Sequence, residues 1–352
     1  MTRTGRDGLG DYQPGLHPAG FDAALHTAVQ EVQTGRWMSM RDLLAATGAN
    51  WALRTARSQV LASAAVRSHA VREWIKEEPR SVDASMMRAR VGTEAVLRAQ
   101  RAGKDARVIE GAALQARDAA LAAARAYPQD PVPWVCLLAQ AHVDLRQARA
   151  ENRRPAPDPM LAPGPWDAMR QACERDPFNR EAHHRMLTFL LHARSGGAGE
   201  GVNFAYWVRQ RVHINDHTPL SVLPLYAYAE YFERHRSQRT RSIGHLQWST
   251  EPAITDTERA LHWFHKCDQT YASPLDLNHL AHALWAGCRY AEGGEVFKAL
   301  GPHMTPKPWT LVALRTHEPL DALEEFRKAR QTCLSYADSA QQARAGPPPQ
   351  HP

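Results

Sequence analysis

Histidine is the residue type whose number and spacing in this sequence could support metal chemistry. The 352-residue chain contains 18 histidines. Three pairs are separated by three or four residues: His213 and His217, His262 and His265, and His279 and His282. On a helix this spacing brings two imidazoles to one face, where both can bind the same ion. None of the pairs has the acidic or thiolate neighbours that complete a zinc site, so the sequence predicts no metal site.

A second metal-binding pattern is the Glu-x-x-His spacing of Glu181 and His184. Di-iron carboxylate bundles use this spacing, but they need a second copy, which the chain lacks. The glycine-rich stretch 196–201 precedes a predicted helix, but it follows a helix rather than a strand and is expected to be an ordinary turn. Walker, Gly-x-Ser-x-Gly, His-Glu-x-x-His and EF-hand motifs are absent. The sequence therefore predicts no catalytic residue and no cofactor, and it leaves open whether the protein is an enzyme.

Charge and cysteine content restrict the class of protein. The net charge is +6, and only six of the 43 Lys and Arg residues are lysines. Phosphate binding needs clustered basic side chains, whereas these arginines are spread along the chain among acidic residues. The five cysteines form no Cys-x-x-Cys pair, and the sequence shows neither an apolar leader nor an apolar run of membrane-spanning length. These features predict a cytoplasmic protein without a membrane partner.

Apolar residues recur at spacings of three and four throughout the chain, on segments rich in alanine and leucine. This period is typical of amphipathic helices, and the alternation that marks strands is not sustained anywhere. Helices are expected at residues 20–34, 39–47, 50–66, 69–77, 81–101, 105–126, 132–149, 165–175, 180–193, 201–212, 220–236, 254–270, 275–287, 290–300 and 319–339. Because short turns join them, antiparallel pairs are expected, and the sequence predicts an all-α protein.

One pair of predicted helices, at residues 275–300, carries a repeat pattern. Its first helix contains a Leu-Ala pair ending at Ala281, a small-residue turn precedes an Arg-Tyr pair, and the second helix contains Gly293 and Phe297. This pattern resembles the tetratricopeptide repeat (TPR), a family in which small residues let paired helices approach and neighbouring pairs stack. The resemblance implies a TPR-like α-solenoid of stacked antiparallel helix pairs.

The repeat pattern also suggests how the chain is divided. A proline-rich insert at about 153–165 lengthens the inner turn of one repeat, where few core contacts are expected. The sequence predicts one TPR-like helical-repeat domain over residues 20–340. The segments 1–19 and 341–352 are expected to be disordered tails.

The resemblance further implies where a partner would bind, because in TPR proteins the first helix of each pair lines a concave face. In the two clearest units the matching positions are Glu181, His184, Thr188 and His192, and Asn278, His282 and Trp285. The same register places Leu280 and Leu284 inside. In an alternative that stays open, Trp285 is a core residue and the histidines only serve hydrogen bonds between repeats.

These features predict a cytoplasmic helical-repeat scaffold that binds a protein or peptide partner in its concave groove. The first alternative is an enzyme, or a small-ligand or metal binder, that uses the concavity lined by histidine and tryptophan. The second alternative is an arginine-rich nucleic-acid binder.

Overall fold

A computed structural model describes residue 15 and residues 17–144, 146–192, 197–234, 247–268, 272–312 and 319–345. All regular secondary structure in these residues is helical, with two isolated β-bridges and no strand. The all-α prediction is confirmed for the described chain. None of the described helices is both long and apolar enough to cross a membrane.

Packing divides the chain into two compact units. The first unit is Phe21–Val212, and its described α-helices are α1 (Ala23–Gln33), α2 (Met38–Thr47), α3 (Trp51–Ala65), α4 (Ala70–Glu77), α5 (Val82–Arg101), α6 (Ala106–Ala126), α7 (Val132–Gln140), α8 (Trp166–Arg175), α9 (Arg180–His192) and α10 (Ala198–Arg211). The second unit is Met1–Gly20 with His213–Pro352, and its described α-helices are α11 (Leu223–Arg234), α12 (Glu251–Lys266), α13 (Pro274–Ala286), α14 (Tyr290–Leu300), α15 (Trp309–Val312) and α16 (Pro319–Ala345).

Polar side chains begin several helices of the first unit. Asp22 Oδ1 accepts a hydrogen bond from the backbone N–H of Leu25 at 3.0 Å before α1. Asn50 and Ser81 accept equivalent bonds at the starts of α3 and α5. Each of these N-caps satisfies a backbone donor that the first turn of a helix leaves unpaired. Local sequence therefore determines where these helices begin.

The helices of the first unit pack in a regular order. Helices α1, α3, α5, α7 and α9 pack one against the next, and α2, α4, α6 and α8 each pack against the odd-numbered helix that follows. Helix α10 packs against α9. Helix α5 is the central element, because it contacts α2, α3, α4, α6 and α7.

Glycine allows close helix contacts at two positions in this unit. A Cβ atom added at Gly92 of α5 would lie 3.2 Å from Ala116 Cβ of α6. A Cβ atom added at Gly201 of α10 would lie 2.5 Å from Leu191 Cδ2 of α9. Gly201 belongs to the glycine-rich stretch 196–201, of which residue 196 lies outside the described residues. The close packing of α10 on α9 explains why glycine occupies position 201.

The predicted helix at 132–149 is too long. Helix α7 ends at Gln140, and only a short 3₁₀ turn, Ala141–Val143, continues it. Beyond this turn the Asp144 carboxylate accepts hydrogen bonds from the backbone N–H groups of Ala148 and Arg149, at 2.8 and 2.9 Å. A side chain that binds nearby backbone donors offers the chain an alternative to the helical ladder, and Asp144 does so here.

The proline-rich insert is packed, contrary to the expectation of few core contacts. Arg154 and Gly164 exchange two backbone hydrogen bonds of 3.0 Å. Leu161 is buried, and a Cβ atom added at Gly164 would lie 2.9 Å from Met186 Cε of α9. The insert therefore closes on itself and covers part of the core.

The second unit contains the pair of helices that resembles a repeat. Helix α13 packs against α14, and α14 packs against α16. Gly293 was expected where the paired helices approach. A Cβ atom added there would lie 2.8 Å from Cys333 Sγ of α16 and 3.6 Å from Leu284 Cβ of α13. Its closest contact is therefore with α16, a helix that the repeat pattern does not include.

Described structure extends into both predicted tails. The backbone N–H of Gly15 donates to the carbonyl of Pro302 at 2.7 Å, and Ala19 is buried. At the other end, α16 continues to Ala345. Residues 1–14, 16 and 346–352 lie outside the described residues, as do the predicted helix ends at 193, 235–236 and 269–270.

Adjacent residues of the insert provide a test of its packing. Leu161 is 7% exposed and Met160 is 76% exposed. Leu161→Ala is expected to lower the free energy of unfolding by about 2–3 kcal/mol, because it leaves a cavity. Met160→Ala is expected to change it by less than about 0.5 kcal/mol. Urea unfolding of both variants measures the difference, and equal effects would show that the insert adds nothing to the core.

Candidate functional site

Asn278, the first predicted groove residue of α13, is fully buried. Its Nδ2 donates to the carbonyls of Pro274 and His303, at 2.7 and 3.2 Å. Its Oδ1 accepts a hydrogen bond from Trp309 Nε1 at 2.8 Å. The whole amide is thus used inside the protein, which corrects the prediction that Asn278 faces a partner.

His282 is buried as well, with its ring inside a group of three tryptophans. Its ring centroid lies 5.1 Å from that of Trp248, 5.5 Å from that of Trp309 and 6.1 Å from that of Trp285. Trp285 is half-buried. Helix α15, which the sequence did not predict, supplies Trp309 and so covers the face of α13 that was expected to be open. Leu280 and Leu284 are buried, as the register predicted.

Glu181, the first predicted groove residue of α9, is buried in an ion pair. Arg90 of α5 donates two hydrogen bonds to its carboxylate, at 2.9 and 2.6 Å. Arg185, one turn further along α9, donates two more at 3.1 Å. The prediction that Glu181 lies open to a partner is therefore corrected, because both carboxylate oxygens already bind guanidinium groups.

Burial and neighbouring charges shift the pKa values of Arg90 and Glu181 in opposite directions. Burial has the largest single effect and would lower the pKa of Arg90, but the charge of Glu181, its hydrogen bonds and other nearby acidic groups together outweigh burial, and the pKa of the guanidinium is raised. Burial alone would raise the pKa of Glu181, but the charges of Arg90 and Arg185 hold it below its usual value. Both groups therefore stay ionised. Burial also raises the pKa of the neighbouring Cys136 thiol to about 11, which keeps it protonated and unreactive at neutral pH.

The remaining predicted residues of α9 lie nearer the surface. His184 is half-buried, and Thr188 and His192 are exposed. Thr188 Oγ1 donates to the carbonyl of His184 at 2.8 Å, and His192 Nδ1 is bonded to the carbonyl of Thr188 at 2.9 Å. Because a carbonyl only accepts, Nδ1 of His192 carries the proton and Nε2 of the neutral ring is an acceptor. We call His184, Thr188 and His192 the α9 stripe.

Other arginines of the first unit also lie inside it. Arg54 Nε donates to Asp130 Oδ2 at 2.9 Å, and its Nη2 binds Asp83. Arg57 Nε donates to Asp22 Oδ2 at 2.7 Å. These arginines are neutralised within the fold, so they do not contribute to a basic surface for phosphate groups.

A cleft of about 170 Å³ opens in the first unit between α6, α7, α8 and the segment around residue 150. Its polar lining consists of Arg117, Trp134, Gln140, Arg149, Glu151, Asn152 and Asp167. Sequence reasoning missed this cleft. The available signal was Gln140, the single amide side chain in the otherwise apolar helix α7.

The described residues contain no group of three or more His, Cys, Asp or Glu side chains that could hold a metal ion. Comparison of the chain with known protein families gave no match, and comparison with curated protein sequences gave no match either.

The buried ion pair predicts an asymmetric mutational response. Glu181→Met leaves Arg90 charged and buried, and is expected to lower the free energy of unfolding by about 3–5 kcal/mol. The double variant Arg90→Met with Glu181→Met removes both charges and is expected to be more stable than the single variant. Glu174→Met breaks an exposed pair with Arg170 on α8 and is expected to cost at most about 1 kcal/mol. A double variant no more stable than Glu181→Met, in urea unfolding, would contradict this account.

A second prediction concerns the amide of Asn278. Asn278→Ala leaves the indole N–H of Trp309 and two carbonyls without their partner, and is expected to lower the free energy of unfolding by about 2–3 kcal/mol. Lys298→Ala, which removes an exposed pair with Asp338 in the same unit, is expected to cost less than about 1 kcal/mol. Thermal melts of both variants measure the difference. A small effect at Asn278 would restore its candidacy as a surface contact residue.

Proposed function

We propose that this chain is a TPR-like helical-repeat protein that binds a protein or peptide partner. The observation that carries the proposal is the order of helix packing in the first unit. Five odd-numbered helices pack one on the next, and even-numbered helices pack beside them. Stacked repeats contact their neighbours in this way, and repeat proteins use the resulting extended surfaces for binding.

The proposed contact surface is the α9 stripe. The Arg90–Glu181 pair joins α5 to α9, and Asn179 Nδ2 donates to Thr55 Oγ1 of α3 at 3.1 Å. These bonds commit the start of α9 to contacts inside the unit. The later part of the same helix keeps Thr188 and His192 exposed. Hydroxyl and imidazole groups can bond the backbone of an extended peptide, so a peptide segment of a partner is the ligand class that the stripe fits best.

Two further observations support a cytoplasmic protein that binds a protein or peptide rather than a nucleic acid. All five cysteines are free thiols, as expected for a protein of the reducing cytoplasm. Arg54, Arg57 and Arg90 are held in buried ion pairs, which argues against the nucleic-acid alternative.

Site-specific crosslinking tests the α9 stripe. The photoreactive residue p-benzoylphenylalanine would replace Thr188 or, as the matched control, Ala122, which is exposed on α6. Irradiation in the native host is expected to give a discrete crosslinked product from position 188 and none from position 122. His192→Ala in the same chain is expected to reduce that product at least about threefold, since it removes one hydrogen-bonding group of the stripe.

The result of crosslinking is read by gel shift and mass spectrometry. Identical products from positions 188 and 122, or no product from position 188, would overturn the assignment of the stripe. Circular dichroism of each variant checks that the helical fold is kept.

A further inference from the structure

Two residues that line the cleft of the first unit carry buried polar atoms without a hydrogen-bond partner among the described residues. Gln140 is 4% exposed, and its Nε2 donates to Thr93 Oγ1 at 3.0 Å. Within the part of the chain that the structure describes, Gln140 Oε1 and Trp134 Nε1 are buried without a hydrogen-bond partner. Both residues line the cleft. An unpaired buried polar group costs free energy, so each atom calls for a partner that a bound molecule can supply.

The two atoms require opposite partners. Trp134 Nε1 is a donor and needs an acceptor, whereas Gln140 Oε1 is an acceptor and needs a donor. The two residues are six positions apart on α7, so their Cα atoms are separated by about 9 Å along the helix axis. A molecule that carries an acceptor and a donor on separate groups would serve both atoms. Leu121 and Leu137 line the cleft as well and offer apolar contact for its middle.

Among the charged residues that line the cleft, one arginine has no ion-pair partner within the described residues. Arg117 Nη1 pairs with Glu151 Oε1 at 2.9 Å, and Asp167 Oδ2 pairs with Arg154 Nε at 2.9 Å. The guanidinium of Arg149 has no ion-pair or side-chain hydrogen-bond partner among the described residues. A carboxylate on a ligand would supply a partner for Arg149, because carboxylates bind guanidinium groups by strong, charge-assisted hydrogen bonds.

We propose that this cleft binds a small aromatic hydroxy acid. Its volume of about 170 Å³ suits a single ring, since a cavity of about 150 Å³ holds benzene. The carboxylate binds Arg149 and accepts from Trp134 Nε1, the ring packs on the leucines, and the hydroxyl donates to Gln140 Oε1. This site is separate from the α9 stripe, and neither proposal depends on the other.

Isothermal titration calorimetry of the full chain tests the site with three related probes. 4-Hydroxybenzoate has both polar ends, benzoate lacks the hydroxyl, and 4-hydroxybenzamide lacks the charge. We expect saturable binding of 4-hydroxybenzoate. Benzoate is expected to bind about 2–10-fold more weakly through the loss of one hydrogen bond, and the amide about tenfold or more weakly through the loss of the charge.

A pair of arginine variants separates the site from general charge attraction. Arg149→Gln is expected to weaken 4-hydroxybenzoate binding about tenfold or more and to leave the binding of the amide unchanged. Arg146→Gln, three residues earlier on the same segment and exposed, is expected to change neither. If Arg149→Gln failed to fold, the wild-type comparison of acid and amide would still decide. Equal affinity for acid and amide, equal effects of the two variants, or no binding of any probe at millimolar concentration would overturn the proposal.

Discussion

The buried pair of Arg90 and Glu181 is the interaction on which the first unit depends most. It joins the central helix α5 to α9, 91 positions further along the chain. A charge buried without its partner costs several kcal/mol, so α9 is held where two guanidinium groups reach its carboxylate. Arg185 supplies the second group, and Asn179 ties the start of the same helix to α3. The start of α9 is therefore committed to internal structure.

The internal bonds at the start of α9 divide one face of this helix into a buried part and an exposed part. Glu181, Thr188 and His192 lie on nearly the same side of α9, because intervals of seven and eleven residues are close to whole numbers of turns. Helices α3 and α5 cover the beginning of the stripe and leave its later part at the surface. The proposed partner contact and the buried ion pair are thus neighbouring segments of one face, and they differ only in what packs over them.

In the second unit, aromatic residues rather than charged residues cover a stripe that was expected to be open. The stripe of α13 that was expected to face a partner is covered by Trp309 and Trp248, and Asn278 is bonded to a tryptophan 31 positions away. In the first unit, by contrast, two polar atoms of α7 have no partner among the described residues, and they belong to side chains that border a cleft. Where other elements cover a polar stripe, it becomes structural. Where a cavity remains beside it, as at Gln140, the unpaired groups can bind a ligand.

The sequence by itself determined most of the helices and their polar and apolar stripes, because these depend on residues within a few positions of each other. N-caps such as Asp22 and Asn50 and the period of the apolar residues are local signals, and the predicted helices follow them closely. The end of α7 was missed because Asp144 competes for backbone donors. Only the tertiary structure decided which stripes are covered, since Arg90, Trp309 and Thr55 reach their partners from distant parts of the chain. It also decided that the insert is packed and that Trp134 and Gln140 border a cleft, because a cavity is defined by several helices together.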